Sequence, residues 1–214
     1  MPAPPETRRA LLLAALASPA LALAQSRRVM QPMTDGPFYP PPRWRALDTD
    51  WDADLTQVRR GTQVLQARGE ALGLNLLVQD TRGRAIDGCE VEIWQCDAMA
   101  AYRHPSVALE PGRHDPGFQG FGAARSGGEG RVAFRTIRPV PYPGRTPHIH
   151  VKLRHASFGE LTSQLFVAGD AGNARDFLWR QLEEADRSAL AMQLQPTQAD
   201  GLRWAAQHAL VVPG

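Results

Sequence analysis

Between Arg138 and Leu153 the chain reads RPVPYPGRTPHIHVKL, and this stretch restricts the fold more than its composition does. Pro139, Pro141 and Pro143 lack a backbone N–H and lock their φ angles, so with Gly144 they exclude a helix and predict a stiff, turn-forming lead. From His148 to Leu153 the pattern alternates with the period of a strand. Side chains two apart on a strand share a face, so His148 and His150 can reach one metal ion. Tyr142 and Arg145 sit just upstream, which concentrates ligand and charge chemistry. Taken alone, His-x-His fits a surface strand with two solvated imidazoles better than it fits a metal site; the surrounding segment and a partner segment near Tyr102 reverse that balance.

Read in order, most of the remaining chain is strand. Leu72, Leu74, Leu76 and Val78 alternate with Gly73, Asn75 and Leu77. Asp80-Thr81-Arg82-Gly83 then supplies a turn into a second strand, Cys89–Cys96, with Val91 and Ile93 on one face. The two strands predict the edge of a β-sandwich. Residues 105–128 read as loop, while Arg131–Ile137 and Leu161–Val167 read as strands, the latter with Gln164 inside it. A helical period appears only after Gly169-Asp170, where Phe177, Leu178, Leu182, Ala185 and Leu190 are spaced for one face and Asn173 or Asp176 can cap the start. Gly201–Val212 reads as a last strand. Residues 25–60 are irregular, and Gly36-Pro37-Phe38-Tyr39-Pro40-Pro41-Pro42 should lie as an extended arm over the body. Tyr39 is expected to pack against that body rather than to reach a substrate. The expected fold is all-β: a β-sandwich of mixed or antiparallel sheets with long loops and one short C-terminal helix. An extended arm over 25–70 would precede a domain over 71–214.

A chain of 214 residues is long enough for one domain with a real core, and its 19 glycines and 18 prolines match a fold rich in turns. The formal charge of +2, with both signs interspersed, gives no reason to expect nucleic acid or an acidic membrane as a partner. Cys89 and Cys96 lie on one predicted strand, on opposite faces and too far apart to bond to each other. Thr7-Arg8-Arg9 precedes a weakly apolar run that ends in Ala22-Leu23-Ala24. This reads as an export signal over residues 1–24, of twin-arginine rather than Sec type, with a mature start near Gln25. The run is too short and too rich in alanine for a membrane span, so the mature chain is expected to be exported and free of the membrane.

Trp94-Gln95 is followed by Tyr102-Arg103-His104. Asp115-Pro116, Phe118-Gln119-Gly120 and the Gly130–Phe134 strand come next. Phe134-Arg135-Thr136-Ile137-Arg138-Pro139, Tyr142-Pro143, Arg145 and His148-Ile149-His150 complete the series. Together these motifs resemble the intradiol ring-cleavage dioxygenases, the family of protocatechuate 3,4-dioxygenase and catechol 1,2-dioxygenase. The likeness runs from about Gly36 to Asp176. The chain has three tyrosines, and all three fall in these motifs or in the Gly36–Pro40 segment, which resembles a piece bordering the family's site.

The resemblance implies an enzyme that inserts both atoms of O2 into a catechol-type aromatic diol. The ring opens between the hydroxylated carbons to give a muconate-type diacid. It implies a mononuclear non-haem Fe(III) held by Tyr102, Tyr142, His148 and His150. Tyr142 would be displaced by substrate and accept one of its protons, Arg145 would stabilise developing negative charge, and Gln164 would stand close to substrate and metal. Asp97, Ala100 and Ala101 depart from the family's pattern, which usually has an Asn and a Gly-Arg pair there. The chain's size is closer to a protocatechuate-dioxygenase subunit than to the catechol-cleaving branch with its helical dimerisation region, which leaves room for a different homo-oligomer.

Two other readings fit parts of the sequence. An exported transthyretin-like binding module would share the sandwich but needs no paired tyrosines. A cupin-type Fe(II) enzyme would use His148 and His150 but wants a third histidine and a carboxylate. His104 and His155 are the available candidates, and both are expected at the surface. His114 and His208 read as structural or solvated, Trp44, Trp51, Trp179 and Trp204 as packing, and Trp94 as a support for Tyr102.

Overall fold

A computed structural model describes residues 27–41, 50–106 and 112–214. The export signal expected over residues 1–24 lies outside the described residues, as does Trp44. Strand β1 (Gln57–Arg60) pairs with β2 (Gln63–Gln66) in a two-stranded hairpin. Strands β3 (Ala71–Asp80), β6 (Arg131–Ile137), β10 (Gln195–Pro196) and β11 (Trp204–Val212) form a four-stranded sheet in the order β10-β11-β3-β6. Strands β4 (Glu90–Trp94), β5 (Phe121–Arg125), β7 (His148–His155), β8 (Gly159–Val167) and β9 (Ala191–Met192) form a five-stranded sheet in the order β5-β4-β7-β8-β9. Within these two sheets β3–β11 and β8–β9 run parallel and the other pairs antiparallel, so the all-β sandwich has mixed sheets.

The core lies between the two sheets. Leu72, Leu74, Leu76 and Val78 of β3, with Val132 and Phe134 of β6, meet Val91 and Ile93 of β4 and Ile149, Val151 and Leu153 of β7. All are buried. Alternate residues of β7, namely His148, His150, Lys152 and Arg154, therefore point to the outer side of the five-stranded sheet. Registration then sets their neighbours: His150 lies opposite Trp94 on β4 and Gln164 on β8, and Lys152 lies opposite Glu92 and Thr162.

The structure corrects four local expectations. Strands β3 and β4 do not pair as a sandwich edge; each is flanked on both sides within a different sheet. Period two reports which face is buried, not which strand is the partner. The segment 105–128 contains β5, which has no β-branched residue and pairs along the edge of β4. Gly122 there lies so close to Asp52 and Leu55 that a Cβ would meet the Asp52 carbonyl oxygen at 2.6 Å. The stretch expected to be an irregular arm includes the β1–β2 hairpin and contributes Met30 and Leu55 to the common core. The C-terminal helix is two helices, α1 (Phe177–Gln181) and α2 (Glu184–Leu190). Leu182 adopts an extended backbone between them and is buried, while Phe177 is 53% exposed and leaves the face predicted for it.

Candidate active site

Strand β7 delivers the two histidines to the outer face of the five-stranded sheet, where both are buried. His148 donates from Nδ1 to the Thr146 carbonyl oxygen at 2.7 Å, which leaves the Nε2 lone pair free. His150 is held differently: its ring stacks on Trp94 with centroids 4.7 Å apart and planes 10° apart. Trp94 was expected to support Tyr102; the two share one buried cluster, and the cross-strand register adds His150, which lies directly on the indole. The Nδ1 of His150 and the Nε1 of Trp94 find no hydrogen-bond partner among the described residues.

Tyr102 reaches both imidazoles. Its Oη lies 3.2 Å from His150 Nε2 and 3.5 Å from His148 Nε2. The loop before it is tied by Asp97, whose carboxylate accepts from the backbone N–H groups of Met99, Ala101 and Asp115. Ala100 sits at φ 63°, a left-handed conformation that costs a residue with a Cβ roughly 1–2 kcal/mol. The departures from the family pattern at Asp97 and Ala100 thus shape the loop that aims Tyr102. Phe38 stacks on the Tyr102 ring at 4.4 Å and 18°.

Tyr142 and Arg145 are the ends of one tight turn. Arg145 N–H donates to the Tyr142 carbonyl at 2.9 Å, with Pro143 and a Gly144 at φ 82° between them. That order of proline then left-handed glycine is the type II turn, and it brings both side chains to the site. The Arg145 guanidinium is a hub: Nε donates to Asp176 Oδ2 at 2.8 Å, one terminal nitrogen to Gln164 Oε1 at 2.5 Å, and the other to Tyr142 Oη at 3.4 Å. Tyr142 is half-buried, whereas Tyr102 is 5% exposed. Every site residue expected from sequence, Tyr102, Tyr142, Arg145, His148, His150 and Gln164, falls in this one cluster.

Burial pushes the Tyr102 hydroxyl well above its usual pKa and raises that of Tyr142 as well. It drives His148 down to about 4 and His150 well below its ordinary value, with the nearby Arg145 charge acting in the same direction. All four donor groups are therefore neutral near pH 7. Burial raises the Asp176 carboxyl, but backbone N–H donors of Thr146 and Trp179, with Arg145, outweigh it and hold the group below the usual carboxylate range.

Sequence reasoning named Asp176 only as a helix cap. Its side chain is fully buried; Oδ1 caps α1 through Leu178 and Trp179 while Oδ2 takes Arg145 and the Thr146 N–H. Phe38 and Thr146 were also missed as individual contributors. A carbonyl acceptor and a stacking partner from a distant segment leave no pattern in sequence. Tyr39 packs against the body as expected, edge-on to Trp94. Among the described residues no three His, Cys, Asp or Glu side chains converge, so a ligand set built on His148 and His150 draws its other donors from the tyrosines. His104 and His155 each hydrogen-bond a serine two residues on, and so do not join His148 and His150.

Comparison with known proteins gives a consistent picture. A family model described as Dioxygenase matches residues 40–209. The protocatechuate 3,4-dioxygenase beta chain of Burkholderia cepacia is 34% identical over 149 residues, covering 65% of this chain and 61% of the relative. The 6-chlorohydroxyquinol 1,2-dioxygenase of Cupriavidus pinatubonensis is 30% identical over 122 residues, 49% of this chain and 42% of the relative. The chain thus spans less than two thirds of the curated relatives it matches. Among solved structures, the dioxygenase domain of a dioxygenase carbohydrate-binding protein fusion from Streptomyces sp. SirexAA-E has a TM-score of 0.63 and 26% identity, covering 87% of this chain and 99% of that one. The 3-chlorocatechol 1,2-dioxygenase of Rhodococcus opacus 1CP, at 21% identity and TM-score 0.63 over 88% of this chain and 74% of its own, shares the fold.

Proposed function

The chain belongs to the intradiol ring-cleavage dioxygenase family, and from that premise we propose that it opens a catechol-type aromatic diol between the two hydroxylated carbons, adding both atoms of O2 to give a muconate-type diacid. The observation that carries this reading is the convergence of Tyr102 Oη on the Nε2 atoms of His148 and His150, with the Arg145 guanidinium beside Tyr142 Oη. Phenol oxygens and imidazole nitrogens suit iron, and a tautomer fixed at His148 Nδ1 is what a ligating histidine needs. Tyr102, Tyr142, His148 and His150 would hold Fe(III), which would supply a Lewis acid and a template for the two diol oxygens.

The remaining work falls to side chains. Tyr102, buried and braced by Phe38, is a neutral phenol by itself and would become the fixed phenolate on iron. Tyr142, half-buried at the end of a turn, is the one with room to move, and once ionised as an iron ligand its Oη would be able to accept a proton from the incoming diol. Arg145 is permanently charged and held from two sides by Asp176 and Gln164, so it offers fixed positive charge to an anionic ring without reorganising. Trp94 and Phe38 keep water from the histidine and tyrosine faces they cover. The pair Arg8-Arg9 supports export by the twin-arginine route, which sequencing the N-terminus of periplasmic protein would test.

The deciding experiment is a visible spectrum of iron-loaded protein, followed by anaerobic addition of catechol, protocatechuate or hydroxyquinol and then 18O2. A broad tyrosinate band that shifts with a diol, and a product labelled in both new carboxyl groups, is expected. Full iron occupancy without the band removes Tyr102 and Tyr142 as ligands. A chain that takes no iron and binds diols unchanged is a binding module.

A further inference from the structure

The outer face of the five-stranded sheet continues past the histidines as a row of charges. Lys152 is two residues beyond His150 on β7, and Arg154 two beyond that. Glu92 and Glu90 lie opposite them on β4, and Thr162 and Glu160 on β8. Two of these charges are almost wholly buried: the Lys152 side chain is 4% exposed and that of Glu92 1%. A charge is buried at such cost only when it is paired, and part of the pairing comes from the N-terminal arm. Lys152 Nζ meets Asp35 Oδ2 at 2.6 Å, and Thr162 Oγ1 donates to Asp35 Oδ1 at 2.7 Å. Four residues on, Tyr39 Oη donates to Glu92 Oε2 at 2.6 Å and accepts from Arg154 at 2.8 Å, while Lys152 Nζ stands 4.1 Å from the centre of its ring.

Between these two anchors lie only Gly36, Pro37 and Phe38. Gly36, at φ 72°, runs beside the His150 ring, where a Cβ would come into ordinary van der Waals contact with Cε1 at 3.7 Å. Phe38 is the residue stacked on Tyr102. His150 has no hydrogen bond at Nδ1 from the described residues; its ring is held by Tyr102 Oη at Nε2, 3.2 Å away, and by the Trp94 stack below, with the arm passing its edge, so the arm that braces Tyr102 bears on both. Tyr39 in turn packs edge-on against Trp94 at 4.9 Å.

We propose that Asp35, Tyr39, Lys152, Glu92 and Arg154 form a clasp whose purpose is to position the site: by pinning the arm at residues 35 and 39 it seats Phe38 on Tyr102 and runs Gly36 along the edge of His150. These are positioning residues; none touches the reacting atoms. The role assigned to His150 and Tyr102 as iron ligands rests on the function proposed above, but the mechanical claim does not, and the two can fail separately.

The test uses Asp35→Asn, Tyr39→Phe and the double variant, because both residues are on the arm and the sheet keeps its own pairs. Each is compared with the wild-type chain for iron release to a chelator, for the visible band, and for nitration of Tyr102 in iron-free protein read by peptide mass. Iron release from the double variant is expected to be roughly 10- to 100-fold faster, the scale seen when partners behind metal ligands are removed, with a shifted band and a raised KM at little changed kcat. Nitration of Tyr102 should rise several-fold while the melting temperature stays close to that of the wild type. Unchanged release, band and nitration, with amide exchange showing the arm loosened, would overturn the proposal. A wild-type chain that binds no iron would overturn the proposed function instead. The clasp would then stand if nitration of Tyr102 rises in the double variant and fall if it does not.

Discussion

The two sheets share one core but differ on their outer sides. On β3 and β6 of the four-stranded sheet, burial alternates along most of each strand: Leu72, Leu74 and Leu76 are buried, Gly73 and Leu77 half-buried and Asn75 exposed, and Val132 and Phe134 are buried where Arg131 and Ala133 are exposed. On β7 of the five-stranded sheet the first six residues, from His148 to Leu153, are all buried, polar and apolar alike. The sequences of both kinds of strand alternate. What differs is that an arm and loops cover one outer face and water covers the other. A polar residue on an open face is simply solvated. On a covered face it must find a partner, and that requirement concentrates His150, Lys152, Glu92 and Gln164 into a site.

This contrast can be broken at both ends. The largest effect is expected from His150→Ala on the covered face, which should abolish the iron-dependent visible band and lower activity at least about 1,000-fold, with metal analysis showing lost iron. Next, Arg145→Ala should retain iron and the band yet lose on the order of 100- to 1,000-fold in kcat, the scale of removing one fixed charge from a developing anion; normal turnover would take Arg145 out of the mechanism. In the shared core, Leu74→Ala should cost about 2–5 kcal/mol in denaturant unfolding, and a loss below 1 kcal/mol would mean that the two sheets are not packed through β3.

Smaller effects sharpen the comparison. Asp176 has a folded pKa held below its unfolded value near 3.9. Its contribution to stability is therefore complete above that unfolded value and is lost as pH falls through the folded pKa. Asp176→Asn should flatten the acid limb of the stability profile and reduce kcat by about tenfold by freeing Arg145; an unaltered acid limb would show that the carboxylate gains nothing from its donors. The smallest effect belongs to the open face, where Asn75→Ala should change stability by less than about 0.5 kcal/mol and leave activity untouched.

The sequence by itself determined which residues gather at the candidate site and the periodicity of the sheets. Pro143-Gly144 could be read as a turn because few other residues supply a fixed φ followed by a positive one. His148 and His150 could be placed on one face because a strand has period two, and Arg131–Ile137 was delimited at both ends by its alternation. Tertiary structure decided everything that depends on partners far along the chain. It put β3 and β4 in separate sheets and made β5 a strand on the strength of its pairing with β4 alone. It broke the C-terminal helix at Leu182, where burying one leucine outweighed continuing a short helix. It also gave Asp176 its second task and laid Phe38 on Tyr102. Local patterns record which side of an element is buried; which atoms meet across that boundary is settled by the register of the strands and the path of the arm over them.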